Sequence, residues 1–131
     1  MIGLDTNVLL RLFMTDDDEQ RDRAEQAVAS AIVSGKLWIN AIVLSEFAWT
    51  LARAFKLPRD RIADLLEAVL SADDLDVEHA RSAHTAIVIY RRGRADFPDY
   101  FLAEINRSAG CSTTLTFDRK AIDSDTFTAV P

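Results

Sequence analysis

A chain of 131 residues, 49% hydrophobic and 27% charged, is sized and composed for one globular domain spanning residues 1–131 with its own core. No run approaches the ~18 uninterrupted apolar residues of a membrane span, and Asp5 and Arg11 interrupt the N-terminus before a secretory apolar segment develops, so the chain is expected to be cytoplasmic with no membrane partner. A formal net charge of −6 argues against a duplex-DNA binder, and a single cysteine excludes an intramolecular disulfide or a cysteine metal cluster.

In chain order, Ile2 to Leu4 reads as a short strand, Thr6 to Met14 and Asp18 to Ser34 as helices, and Leu37 to Ile39 as a second strand. A helix follows from Ala41 to Phe55. Pro58 suits a first helical position and opens a helix to Ser71, with Ile62, Leu65, Leu66, Val69 and Leu70 as its apolar stripe. Leu75 to Val77 reads as a strand, Glu78 to Arg92 and Asp96 to Ala109 as helices, and Thr113 to Phe117 and Thr126 to Val130 as strands. Gly35, Gly93 and Gly110 each follow a helical segment, where a left-handed residue commonly ends a helix. Cys111, just after Gly110, is read as packing. Short apolar strands alternating with longer helices predict an α/β fold with a mainly parallel sheet covered on both faces. Ligands of such sheets bind beyond the carboxyl ends of the strands.

Asp5 and Asp118 fall at two such ends. Each also suits an N-cap, Asp5 before the helix at Thr6 and Asp118 before "RKAI". Glu46 lies off the core stripe of Leu44, Phe47, Ala48, Leu51 and Phe55, yet Ile42 and Trp49 flank it, so its helix is expected to be largely buried. A carboxylate withdrawn from water needs a cation or hydrogen-bond donors, and Arg53 is the structural alternative to a ligand. In "ADFPDYFLAE", Asp96 suits an N-cap, whereas Asp99 shares a stripe with Leu102, Ala103 and Asn106. Carboxylates that converge repel one another unless protonated or bound to a cation. A set made of Asp5, Glu46, Asp99 and Asp118 therefore predicts a hard-cation site for Mg²⁺ or Mn²⁺, and two-metal chemistry of that kind is phosphodiester cleavage.

The ordered motifs "GLDTNVLLR", "LSEFAWTLARAFKLPRDRI", "RRGRADFPDYFLAE" and "GCSTTLTFDRKA" resemble the PIN-domain ribonucleases, in particular the VapC-type toxins of toxin–antitoxin pairs, over nearly the whole chain. The resemblance implies a three-layer α/β/α sandwich with about five strands and a Mg²⁺- or Mn²⁺-dependent endoribonuclease. It places catalytic, metal-binding acids at Asp5, Glu46, Asp99 and Asp118, with Asp96 as a further ligand ranked below Asp99. Asn7 and Thr116 match polar positions that orient those acids. The partners implied are an RNA substrate, a cognate VapB-like antitoxin and a second copy of the chain, with Phe13, Trp49 and Phe55 considered for the antitoxin groove. Arg94, Arg11 and Lys120 are candidates for contacts with RNA phosphates. Arg91 and Arg92 are explained by the helix C-terminus they complement from its last turn before Gly93, the acid-rich "TDDDEQRDRAEQ" by a solvated face, and His79 and His84 by surface or packing roles.

Two alternatives stand beside this reading. An aspartate-based phosphatase also uses acids at strand ends, but it usually carries a second Asp where Asn7 stands and leaves Glu46 unexplained. A catalytically silent PIN-fold binding module would keep the fold without the chemistry.

Overall fold

A computed structural model describes all residues from Met1 to Pro131. The order is β1 (Ile2–Gly3), α1 (Thr6–Phe13), α2 (Asp18–Ile32), β2 (Leu37–Ile39), α3 (Ala41–Arg53), α4 (Arg59–Ser71), β3 (Leu75–Val77), α5 (Ala80–Arg92), α6 (Phe97–Ser108), β4 (Thr114–Thr116), a 3-10 turn (Ala121–Asp123) and β5 (Phe127–Ala129). This is the α/β alternation that the sequence predicts.

Every strand pair is parallel, with Ile2 opposite Leu37, Leu37 opposite Leu75, and Thr114 opposite Phe127. The ladders form two groups, β1-β2-β3 and β4-β5, and not one continuous sheet. The break falls at β1, whose two residues bond only to β2. Strand β2 is the buried centre, since Leu37 and Ile39 are inaccessible to water and β3 covers its other side with Leu75 and Val77.

Side chains from α1 and α3 to α6 join those of β2 and β3 in one contiguous apolar cluster. Phe47 at its centre meets Phe13 edge-on at 6.1 Å, and Phe97 packs on Phe101 at 5.3 Å and Tyr90 at 6.1 Å. Helices α5 and α6 pack closely because α5 presents small residues there, Ser82, Ala83 and Ala86, all buried.

Several local expectations change. Helix α5 begins at Ala80, because His79 adopts φ 55° and Glu78 turns away to accept the Ala41 N–H at 2.8 Å, capping α3 instead. Pro58 stands one residue before α4. Gly35 (φ 123°) and Gly110 (φ 102°) take the left-handed region, but Gly93 does not (φ −85°); a Cβ there would overlap the Tyr100 phenol. Cys111 is exposed, not packed, since it lies beyond α6 on the surface. His79 and His84 are both exposed. Arg91 reaches across to α4, 2.8 Å from Asp64 and 3.2 Å from Glu67. Ile42 and Trp49 are 69% and 53% exposed, so α3 buries one face only and its second apolar stripe lies open.

Candidate active site

Asp5 follows β1 and caps α1, its Oδ1 accepting the Val8 N–H at 3.0 Å. Capping uses one carboxylate oxygen, so the residue serves the helix and still offers a second oxygen. The next residue, Thr6, donates its hydroxyl to Glu46 Oε1 at 3.0 Å and so joins the start of α1 to the middle of α3. Glu46 is exposed beside Ile42 and Trp49, and the burial expected for it does not hold. Nor does it pair with Arg53. That guanidinium lies 3.2 Å from Asp96 Oδ2, tying the end of α3 to the start of α6.

Asp96 occupies the N-cap position of α6, but its side chain makes no capping hydrogen bond because it is turned to Arg53. One turn on, Asp99 is half-buried. Burial raises its carboxyl above the usual carboxylate value, and the negative charges of Asp118 and Asp96 raise it further. No arginine or lysine pairs with Asp99, whereas Arg53 satisfies Asp96. Asp118 ends the β4 segment. Its Oδ1 accepts the Lys120 N–H at 2.9 Å, and its own N–H is held by Thr116 Oγ1 at 2.9 Å.

The acids thus fall into two neighbourhoods, Asp5 with Glu46 through Thr6, and Asp99 with Asp96 and Asp118 through their charges. Beside Glu46 lies a shallow pocket of about 220 Å³ lined by Ser45, Glu46, Trp49 and Pro98, the last of these next to Asp99 in the chain. No three acidic, histidine or cysteine side chains converge closely enough to hold one metal ion as the chain stands. The donor chemistry nevertheless fits a hard divalent cation, because every donor is an oxygen and the charge at Asp99 has no counter-ion.

The remaining candidates divide. Asn7 is exposed and faces the cleft between α1 and α2 with Arg11, whose guanidinium lies 2.7 Å from Asp16. Thus Thr6, and not Asn7, touches a candidate acid. The available signal was its place at the first helical position, directly after Asp5. Arg94 and Lys120 are exposed and carry no ion pair, flanking the Asp99 and Asp118 segments respectively. Tyr100 and Asp123 were also overlooked. The Tyr100 hydroxyl, on a side chain with no exposure, donates to Asp123 Oδ1 at 2.9 Å. Burial, and after it the contact with Asp123, raises the phenol above its usual value, so it stays protonated as a donor.

A chain with acids after two parallel strands and at a helix N-terminus defines a class, and residues 2–125 match the PIN domain: this chain belongs to the PIN-domain family. It is similar to the VapC ribonuclease of Aquifex aeolicus (strain VF5), with 26% identity over 118 residues that cover 89% of this chain and 87% of that relative. No helix is long and apolar enough to cross a membrane.

Proposed function

We propose that this chain is a divalent-metal-dependent endoribonuclease, the toxin of a type II toxin–antitoxin pair. The observation that carries the reading is Asp99, a half-buried carboxylate set beside Asp118 and Asp96 with no cationic side chain of its own. A fold does not keep such repulsion for stability, because a buried charge without a partner is unfavourable. The similarity to a protein named VapC ribonuclease supports RNA as the substrate class, and the antitoxin partner follows from the resemblance of the sequence motifs to VapC-type toxins.

In this reading Asp5, Glu46, Asp99 and Asp118 hold Mg²⁺ or Mn²⁺, and Asp96 stays with Arg53 at the rim. The cation, when bound, supplies positive charge for the scissile phosphate and acidity for an attacking water. The chain's own residues do the rest. Thr6 fixes the rotamer of Glu46, and Thr116 fixes the main chain of Asp118. Asp99, with its raised proton affinity, favours a proton or a cation over standing bare. Arg94 and Lys120 are the free cations placed to receive RNA phosphates flanking the cleavage point. An unpaired RNA segment suits an open surface of this kind. The exposed stripe of Ile42 and Trp49 offers apolar area to a protein partner, the antitoxin or a second copy.

The test incubates purified protein with structured RNAs in Mg²⁺ or Mn²⁺, with and without EDTA, beside Asp5→Asn and Asp99→Asn. Cleavage that needs the cation and is lost in both variants supports the reading. Cleavage that survives chelation or both substitutions overturns it.

A further inference from the structure

Asp99 and Asp118 arrive on separate segments, one in the first turn of α6 and the other after β4. Strands β4 and β5 bond to each other and not to β1-β2-β3, so no sheet ladder fixes the Asp118 segment against the main body. Side-chain contacts must do so: Ala121 and Phe127 bury themselves in the common core, and polar ties add direction. Asn106 Nδ2 reaches Thr114 Oγ1 at 3.0 Å, but from the far end of α6. Arg107 reaches Asp125 at 3.2 Å, across an exposed surface.

The tie near the acids is Tyr100 with Asp123. Asp123 closes the 3-10 turn that follows Asp118, and it accepts the Tyr100 hydroxyl at 2.9 Å on Oδ1 and the Arg94 N–H at 3.0 Å on Oδ2. The same phenolic oxygen lies 3.1 Å from the N–H groups of both Arg94 and Ala95. From the other side, Arg59 Nη1 donates to the carbonyls of Tyr90 at 2.9 Å and Ala95 at 2.8 Å. Gly93 leaves room for the phenol, which a Cβ there would strike. The loop that leads into α6 is therefore clamped along its main chain, and one jaw of the clamp belongs to the segment that carries Asp118.

We infer that Tyr100 and Asp123 are positioning residues that set the separation of Asp99 and Asp118, and with it the divalent-cation affinity of the site. The inference rests on the nuclease reading above. Neither residue touches substrate in this scheme. A buried tyrosine would fill the same space as phenylalanine if packing were its whole role. The hydroxyl, in contact with Asp123 and two main-chain N–H groups, is what phenylalanine lacks.

The experiment compares the full chain with Tyr100→Phe, Asp123→Asn and the double variant. Calorimetry measures Mn²⁺ affinity, RNA cleavage is followed across Mn²⁺ concentrations, and amide exchange of Arg94 and Ala95 is measured in EDTA. Each single variant is expected to weaken Mn²⁺ binding about tenfold, to leave kcat at saturating Mn²⁺ within about twofold, and to speed exchange at both amides in the metal-free protein. The double variant is expected to be no worse than the weaker single, as for one shared bond. Asp123 is exposed, so Asp123→Asn carries the test if Tyr100→Phe does not fold. Wild-type Mn²⁺ affinity in the folded variants, with only a lowered melting temperature, overturns the inference and leaves the nuclease reading standing. Wild-type protein that neither binds Mn²⁺ nor cleaves RNA overturns both.

Discussion

The Thr6 hydroxyl stands 3.0 Å from Glu46 Oε1, so the residue that follows one candidate carboxylate orients another from a different helix. Thr6→Val keeps the shape and removes the donor. Cleavage should fall by roughly tenfold, as when a group behind a ligand is lost. Denaturant unfolding should change by less than about 1 kcal/mol, because an exposed hydrogen bond contributes little. Equal activity in the variant would separate Thr6 from the site.

Asp99→Asn should abolish cleavage, by roughly 100-fold or more, and at the same time raise the melting temperature in EDTA. Burial, with Asp118 and Asp96 beside it, raises the Asp99 carboxyl in the folded chain. A raised carboxyl favours the fold while protonated, and that favour is lost as pH rises through the folded value. The stabilising effect of Asn should therefore be present at neutral pH and fade once acid protonates Asp99 in the parent protein. Melting curves from pH 3 to pH 8 check the sign.

Two helix-end glycines separate two physical causes. Gly93→Ala should cost about 1–3 kcal/mol through overpacking against Tyr100, as its φ of −85° suits any residue. Gly35→Ala meets nothing within 4 Å but must hold φ 123°. Its cost, about 1–3 kcal/mol, is conformational. In a Tyr100→Ala background the first cost should disappear and the second remain unchanged, as urea unfolding of the three single and two double variants would show.

On α3, Phe47→Ala should destabilise by about 3–5 kcal/mol, since Phe47 is wholly buried against Phe13. Trp49→Ala, two residues along, should change stability by under about 1 kcal/mol, because its indole is 53% exposed. Its effect should fall on association with a protein partner, measured by light scattering and by antitoxin titration.

Order and type of the elements were legible because the apolar periods are clean, as in α4, and because the strands are short apolar runs between helices. The end of a helix was harder to read where a side chain crosses the fold. Glu78 looks like a helical residue, and only the Ala41 N–H that it caps explains why α5 starts after it. Arg53 shows the same limit at the site, where it chooses Asp96 from another helix over Glu46 on its own. Asp5, Asp96, Asp99 and Asp118 could be picked out as candidates because each stands at or near a strand or helix terminus, and Glu46, in the middle of α3, because it lies off the core stripe. Thr6, Tyr100 and Asp123 could not, because their importance lies in contacts between segments distant along the chain. The expected cover over Ile42 and Trp49 failed for a different reason: periodicity reports which faces are apolar, not whether the same chain covers them.

Cys111 faces water just past α6 and is the chain's sole thiol. A maleimide dye or nitroxide therefore attaches at one known address, without any engineered substitution. By the same token, copies purified without reductant can become covalently joined through it, and any measured stoichiometry should first be repeated with the sulfur blocked.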